Sequence, residues 1–433
     1  MTARQAALFV LKSVLNENSY LNLALKKILS DNMPPEEKRF ATALSAATIE
    51  NLFRIDYVIG QFTSKSRIQS VVRNILRLGV CQLMFFESVP ASAAVNESVK
   101  LTEKCGKRQL KGFVNATLRS ISSNLGTIRY PDRNSDLAEF LHIFYSYPKW
   151  LCEKYIGDYG QAQAEEIISY KTDNAYTCVR YNKIKGYADL SGMEPGKYLK
   201  DAYYIKNSGA IEKMPLFRQG HVTVQGEASM VCVLAAGIQP QDNVLDACAA
   251  PGGKSAYAAQ IAKDGHVTAL DVHAHRKELI LETFGRLGVV NGRAYVEDAT
   301  VFNPTYEEKF DVVLLDAPCS ALGLLYRKPD IKLKKTPEDI EALVKMQRKL
   351  LLNCARYVAA GGTLLYSTCT VNRQENEENA QWILQQAAAL KPAEIKNDIP
   401  EGLMARANGH TMQLFPNIDG IDGFFMAKFV KDA

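Results

Sequence analysis

Two cysteines stand just beyond two strongly apolar runs, and one of them shares its segment with an acid. The run 310–315 leads into Asp316 and Cys319, and the run 362–367 leads into Cys369. The carboxyl ends of parallel strands form the edge where a doubly wound fold places its ligands. A single cysteine is most often a small buried hydrophobe, but two thiols and an acid at this edge indicate covalent chemistry.

Two thiols and an acid suit methyl transfer to a pyrimidine. C5 of a pyrimidine is a poor nucleophile, but addition of a thiolate to C6 makes C5 enamine-like and able to attack an electrophilic methyl group. A base then removes the C5 proton and the thiolate leaves, so one hard step becomes several easier ones. A free cysteine has a pKa of about 8.5, so the site must favour the thiolate, and a carboxylic acid near N3 would stabilise the adduct. Spacing alone does not choose between the two thiols.

The methyl donor is indicated by a strand–turn–helix segment, VLDACAAPGGKS at 244–255. Glycine lets backbone approach a ligand closely, and a helix start offers free N–H groups. A P-loop needs glycine where Cys248 stands, and the G-x-G-x-x-G pattern of dinucleotide folds is missing. S-adenosylmethionine, which has no phosphates, fits better. Asp246 can meet its ammonium group, Asp271 its ribose hydroxyls and Asp298 its adenine amino group.

The chain from residue 242 onward alternates strands and helices. Strands are predicted at 243–247, 266–271, 293–296, 310–315, 362–367 and 423–430. Helices are predicted at 253–263, 273–287, 337–358 and 373–388. This spacing indicates a mostly parallel sheet covered on both faces. The fold class is therefore α/β, a doubly wound Rossmann-like sheet of the class I methyltransferase type, preceded by an all-α domain and a small α/β module.

Three domains are expected. Residues 1–130 have helical periodicity nearly throughout and are predicted to form a helical domain; the resemblance given below implies that this domain binds RNA. Residues 131–230 hold a connector, most evident at 129–150, then a helical stretch and a small α/β module over 175–220 that also binds RNA. Residues 231–433 form the S-adenosylmethionine-dependent methyltransferase domain.

Composition limits the partners and the compartment. Residues 1–130 hold 18 Lys and Arg against 9 Asp and Glu, a surplus of nine positive charges, so the remainder carries −4 of the total +5. A basic front domain suggests a polyanion such as RNA.

The nine cysteines are odd in number and lack C-x-x-C spacing, which indicates reduced thiols in a cytoplasmic protein and no metal site. No membrane span or signal peptide is expected, and a monomer is predicted.

The motifs together resemble the RNA cytosine-C5 methyltransferases of the Nol1/Nop2/Sun family. The matching segments are D-A-C-A-A-P-G-G-K-S at 246–255, D-A-P-C-S at 316–320 and S-T-C-T at 367–370. The resemblance implies that Cys369 is the nucleophile, that Cys319 assists product release and that Asp316 is the acid at the cytosine. The residues that would bind S-adenosylmethionine are Asp246, Cys248, Ala249, Ala250, Pro251, Gly252, Gly253, Lys254, Asp271, Asp298 and Asp316.

The first 130 residues resemble NusB-type helical RNA-binding domains, through V-N-E at 95–97 and F-V-N at 113–115. Joined to this catalytic module, such a domain implies small-subunit (16S) ribosomal RNA as the substrate. The candidate RNA contacts are Lys104, Lys107, Arg108 and Lys111 in a basic turn, and Arg327 in a basic loop after the fourth strand.

Alternatives remain at this stage. The chain could be a non-catalytic RNA-binding assembly factor, or a cytosine-C5 methyltransferase of another RNA. Amino-group methyltransferases favour a different motif after the fourth strand. One departure from the family pattern is Gly226, where many relatives have Asp; Glu227 is the acid that could substitute for it.

Overall fold

The computed structural model of the chain describes residues 1–29, 32–64, 68–172, 176–206, 211–395 and 399–432. The described chain divides into two compact units. One unit comprises Met1–Tyr170 and Arg327–Lys335, and the other comprises Lys171–Tyr326 and Thr336–Ala433. The three-domain division remains a prediction. Residue 175 and residues 207–210 of the predicted small module lie outside the described residues.

The first unit is helical throughout its described part. The amphipathic helices between residues 3 and 124 bury apolar residues in a shared core, which includes Leu11, Leu44, Ile55 and Leu76. Thr2 caps the first helix through a reciprocal capping box with Gln5. The helices are α1 Ala3–Asn16, α2 Leu21–Ile28, α3 Pro35–Glu50, α4 Leu52–Phe62, α5 Ser70–Phe85, α6 Ala91–Lys104, α7 Lys111–Asn124, α8 Leu137–Phe144, α9 Lys149–Tyr159 and α10 Gln161–Ser169.

The expected connector at 129–150 contains α8 and the start of α9. Asp136 caps α8 by accepting the backbone N–H of Glu139 at 2.9 Å. The Arg54 guanidinium lies 4.3 Å from the ring centroid of Phe144 and 4.9 Å from that of Tyr130. Cation–π contacts of this kind hold an aromatic-rich segment on a helical core, even where Pro, Asp and Asn suggest a loop.

Residues 327–335, which follow a strand of the second unit, pack within the helical unit. Oδ2 of Asp330 accepts the backbone N–H of Leu21 at 2.8 Å, at the first turn of α2. Nζ of Lys332 donates to the Glu50 carbonyl at 2.8 Å and lies 4.4 Å from the Tyr147 ring centroid. The polar residues of this loop thus serve as buried anchors.

The second unit begins with a small module whose elements are β1 Tyr176–Tyr181, β2 Glu194–Pro195, β3 Ala202–Lys206, α11 Pro215–Arg218 and β4 Val222–Val224. Its strands form an antiparallel sheet in the order β2-β3-β1-β4. The alternation of Thr177 to Asn182 predicted β1 to within a residue.

The strands of the main sheet are β5 Asn243–Asp246, β6 His266–Asp271, β7 Gly292–Val296, β8 Phe310–Asp316, β9 Val358–Thr368, β10 Leu390–Pro392, β11 Ala407–Asn408, β12 Thr411–Leu414 and β13 Phe424–Lys431. Their order in the sheet is β11-β12-β13-β9-β8-β5-β6-β7, with β10 paired to β13. Strands β5 to β9 run parallel, and β13 is antiparallel to β9. This is the predicted doubly wound sheet.

Helices cover both faces of this sheet. They are α12 Glu227–Ala235, α13 Gly253–Ile261, α14 Ala274–Leu287, α15 Pro337–Tyr357, α16 Glu377–Gln386 and α17 Pro416–Asp419. The helix predicted at 373–388 begins at Glu377, because the preceding buried residues Asn372 and Glu375 are held in side-chain hydrogen bonds. None of the helices in the described ranges combines the length and apolarity that a membrane crossing requires.

Candidate active site

The two predicted thiols meet at the carboxyl end of the sheet. Strands β8 and β9 are parallel neighbours, with Asp316 paired in register to Ser367. The loops that follow bring Sγ of Cys319 to 3.3 Å from Sγ of Cys369. Both thiols are half-buried. The contact to Cys369, followed by burial, raises the pKa of Cys319 well above its ordinary value.

Asp316 ends β8 and is held by two donors. Ser367 donates its hydroxyl to Oδ1 at 2.9 Å, and Lys254 lies with Nζ 2.7 Å from Oδ2. Burial alone would lower the pKa of Lys254, but the nearby carboxylate of Asp316 raises it above its ordinary value. A charged ammonium therefore lies beside the predicted acid. The sequence predicted Lys254 as a cofactor-binding residue but did not predict its contact with Asp316.

The turn before α13 carries the chain across the end of β5. Gly252 has φ +98°, and a Cβ there would lie 3.2 Å from Cα of Ile280 in α14, so this position requires glycine. Asp246, at the end of β5, is 1% exposed. Its Oδ2 accepts the Ser255 hydroxyl at 2.6 Å, whereas no donor among the described residues reaches its buried Oδ1. Burial raises the pKa of Asp246 to about 6.

A cavity of about 340 Å³ opens between the turn and the thiols. The predicted residues that line it are Cys248, Ala250, Asp271, Asp298, Asp316, Cys319 and Cys369. Arg276, Glu297 and Met346 also line it and were not singled out from the sequence. The remaining predicted cofactor residues, which are absent from its walls, are Asp246, Ala249, Pro251, Gly252, Gly253 and Lys254.

Backbone and side-chain donors orient the two acids on the far side of this cavity. Oδ1 of Asp271 accepts the backbone N–H of His273 at 3.0 Å, and its Oδ2 lies 3.8 Å from Nη1 of Arg276. Oδ1 of Asp298 accepts both the backbone N–H and the hydroxyl of Thr300, at 2.9 and 2.7 Å. Each carboxylate is thus held in place by its own loop.

Known proteins resemble this chain in both of its halves. The family described as 16S rRNA methyltransferase RsmB/F matches residues 233–430, and the NusB family matches residues 1–123. A Bacillus subtilis (strain 168) protein named probable ribosomal RNA small subunit methyltransferase B is 34% identical, over 99% of each chain. The chain belongs to the RsmB/F family of 16S rRNA methyltransferases.

Two further similarities extend over the whole chain. A Synechocystis protein with the same printed name is 31% identical over the full length of both chains. The crystal structure of PH0851 superposes with a TM-score of 0.80 at 24% identity, covering 100% of this chain and 99% of that one. This last likeness is one of fold. As a member of the family, the chain is an S-adenosylmethionine-dependent methyltransferase that acts on ribosomal RNA.

Glu227 does not take the place of an acid at position 226. Its buried carboxylate accepts the backbone N–H groups of Lys197, Tyr198 and Leu199 at 2.8, 2.8 and 3.0 Å, and the hydroxyl of Tyr204 at 2.7 Å. Four donors occupy this carboxylate as a structural anchor of the small module, so the suggested substitution is wrong.

Asp422 brings a different carboxylate to position 226. A Cβ at Gly226 would lie 2.7 Å from Oδ2 of Asp422. Oδ1 of Asp422 accepts the hydroxyl of Tyr326 at 2.7 Å.

The predicted RNA-binding residues lie on the helical unit. Lys104 ends α6, and Lys107 follows it in the turn before α7. Glu103 forms ion pairs with Lys111 at 2.8 Å and Arg108 at 3.3 Å, which offsets part of the positive charge of the turn.

Arg327 is exposed in the loop that packs within the same unit. Its contact with RNA remains a prediction. Among the described residues, no group of three or more His, Cys, Asp or Glu side chains is arranged to hold a metal ion.

A buried carboxylate behind the thiols was missed by sequence reasoning. Glu375 accepts hydrogen bonds from Ser320, next to Cys319, and from Asn372, near Cys369. The only sequence signal is the polar run NRQENEEN at 372–379, between a strand and a helix. Polar runs of this kind are usually solvated, yet Asn372 and Glu375 are 0% exposed.

Proposed function

We propose that this enzyme methylates C5 of a cytosine in 16S ribosomal RNA through a covalent bond between Cys369 and C6 of the base. The observation that carries the proposal is the 3.3 Å separation of the Cys319 and Cys369 sulfurs on the wall of the cavity that Asp316 also lines. Methyl transfer to oxygen or nitrogen needs no thiol, whereas transfer to C5 needs a nucleophile at C6 and a base at C5.

The proposed fit of S-adenosylmethionine rests on acceptors in the cavity wall and on one directly behind it. Asp246 does not line the cavity, but its neighbour Ala247 does, and the buried Oδ1 of Asp246 has no donor from the described residues. An ammonium group that displaces this part of the wall would find its acceptor there. Asp271 and Asp298 supply carboxylates for the ribose hydroxyls and the adenine amino group, and Cys248 and Ala250 form apolar wall. When bound there, S-adenosylmethionine supplies the electrophilic methyl group.

Cys369 acts first in the proposed reaction. Its thiolate forms the S–C6 bond, and the C5=C6 electron pair becomes available at C5. The assignment of Cys369 follows the family resemblance, and the 3.3 Å contact lets the Cys319 thiol donate to the Cys369 sulfur before attack.

Cys319 acts second. Its sulfur lies 3.3 Å from that of Cys369, so it is placed to act as the base beside the bonded carbon. Cys319 gives its own proton to solvent and then removes the proton from methylated C5. The electrons of that C–H bond restore the C5=C6 double bond as the S–C6 bond breaks, and Cys369 leaves as a thiolate.

Asp316 and Lys254 serve N3 of the base in this scheme. Asp316 accepts from both Lys254 and Ser367, so it lies there as the anionic partner of an ion pair. The proton that N3 requires on adduct formation comes from solvent through the carboxyl of Asp316, which lines the cavity, and it returns the same way on elimination. Asp316 keeps the acid function predicted for it, and Lys254 holds that carboxyl in place.

A labelling experiment tests the proposed reaction. The protein is incubated with 16S ribosomal RNA and S-adenosylmethionine carrying a labelled methyl group, and modified positions are mapped by bisulfite sequencing. We expect label at C5 of a cytosine for the wild-type chain and none for Cys369→Ala. Label on a base nitrogen, on ribose or on a different RNA alone would contradict the proposal.

A further inference from the structure

We propose that Glu375 is a positioning residue that fixes the distance between the two thiols. This inference rests on the proposed function, since it concerns how Cys319 and Cys369 are held for their roles. Glu375 lies between the end of β9 and the start of α16 and is 0% exposed. It does not line the cavity, so it acts through the residues that it binds.

Four donors converge on this carboxylate. Oε1 accepts the backbone N–H of Ser320 at 2.8 Å and the amide of Gln347 at 3.0 Å. Oε2 accepts the amide of Asn372 at 2.8 Å and the hydroxyl of Ser320. Four hydrogen bonds offset most of the desolvation free energy of the buried carboxylate. A neutral side chain at this position would leave some of the four donors without an acceptor.

The donors come from segments that flank both thiols. Ser320 follows Cys319 directly, and its Oγ lies 2.8 Å from Oγ1 of Thr370, which follows Cys369. Gln347 of α15 also donates to the Pro318 carbonyl at 2.9 Å, on the other side of Cys319. One carboxylate therefore holds the Cys319 loop on both sides and connects it to the Cys369 loop.

Gln347 is itself fixed. Its Oε1 accepts the Asn379 amide at 2.8 Å, and Asn379 belongs to α16. The loops thus rest on α15, α16 and the end of β9, whose relative placement is set by the core of the sheet. Networks in which every polar group is satisfied are rigid, which is what a short separation between reacting groups requires.

Glu375→Gln is the most direct test. The new side chain keeps its shape but places an NH₂ group against hydrogen-bond donors, so the thiol loops lose part of their anchor. We expect kcat for methyl transfer to fall roughly 10- to 100-fold, with the KM values for S-adenosylmethionine and RNA near those of the wild type.

The rate of disulfide formation between Cys319 and Cys369 measures how closely the two thiols are held, independently of methyl transfer. Diamide oxidises two neighbouring thiols to a disulfide and is itself reduced to the hydrazine, so its rate of joining Cys319 to Cys369 reports their separation. Peptide mapping follows this pair among the nine cysteines. We expect the rate in Glu375→Gln to fall by about the same factor as kcat, whether or not methyl transfer proceeds as proposed.

Glu227→Gln is the matched control. Glu227 is also buried and also receives four donors, but they belong to the small module. We expect this variant to lower the melting temperature while leaving the diamide rate at the thiol pair unchanged. Equal effects of the two variants on kcat and on the diamide rate would overturn the proposal, because they would indicate general destabilisation.

Ser320→Ala provides a second route if Glu375→Gln folds poorly. It removes one hydroxyl from Glu375 and from Thr370 but keeps the backbone N–H. We expect kcat and the diamide rate to decrease less in Ser320→Ala than in Glu375→Gln. The variant that carries both substitutions should be no slower than Glu375→Gln alone. Additive effects, or a wild-type diamide rate in every variant, would contradict the inference. Failure of wild-type methyl transfer would instead count against the proposed function.

Discussion

Nζ of Lys254 lies 2.7 Å from Oδ2 of Asp316, and this ion pair joins the first turn of α13 to the end of β8. The two residues are 62 positions apart in the chain. Their side chains are 15% and 28% exposed, so the charges are shielded from much of the solvent. The pair links the turn at the cofactor cavity to the residues beside the thiols.

Lys254→Gln should therefore lower kcat. Without the ammonium, Asp316 keeps Ser367 as a donor but loses its charge partner, so its carboxyl is less well positioned toward the base. We also expect a stability loss of about 1–3 kcal/mol, measured by urea unfolding. Lys263→Gln is the control, because it removes an exposed charge just beyond the C-terminal end of α13. It should change neither kcat nor the free energy of unfolding. A Lys254→Gln enzyme with wild-type kcat would remove Lys254 from the proposed chemistry.

The buried Asp246 should make cofactor affinity depend on pH. Its pKa is raised by burial from 3.8 to about 6, so the folded chain holds this proton more tightly than the unfolded chain. Its contribution to stability is present below pH 3.8 and is lost as pH rises through about 6. Binding of an ammonium group favours the carboxylate. Calorimetry should thus show affinity for S-adenosylmethionine weakening up to about tenfold per pH unit below pH 6.

Asp246→Asn is the control for that measurement. It keeps the shape of the side chain but removes the titrating group, so binding should be weaker at pH 7 and flat between pH 5 and 7. If the affinity for S-adenosylmethionine changed with pH equally in the wild type and in Asp246→Asn, the titrating group would be a residue other than Asp246.

The basic turn of the helical unit should contribute salt-dependent RNA affinity. Lys104 and Lys107 are the cations of the turn outside the Glu103 ion pairs. Replacing both with Gln should weaken RNA binding and reduce the slope of log K against log salt by about 1.5–2. Lys26→Gln with Lys27→Gln removes two exposed charges from α2 as the control. If the slope of log K against log salt were the same in the two double variants, the basic turn would not contribute to RNA binding.

The sequence predicted the strands and the motif ends because both depend on local pattern. Apolar runs near Asp246, Asp316 and Cys369 fixed the strand positions, and parallel pairing then required their ends to meet. The short strands β10 to β12 were missed, because two to four residues carry too little alternation.

The side-chain pairings could not be predicted in the same way. The contacts of Lys254 with Asp316 and of Glu375 with Ser320 join residues 62 and 55 positions apart, and both depend on how segments distant in the chain pack together. The anchoring role of Glu227 was likewise hidden, because its partners are backbone N–H groups with no sequence signature.

Covalent trapping tests the central claim most directly. The Cys319→Ala and Cys369→Ala variants are incubated with 16S ribosomal RNA and S-adenosylmethionine, and protein–RNA adducts are resolved on a denaturing gel. If Cys369 attacks C6 and Cys319 is needed for release, Cys319→Ala accumulates the adduct and Cys369→Ala forms none. An adduct in Cys369→Ala but not in Cys319→Ala would reverse the two roles, and no adduct in either variant would contradict the covalent mechanism.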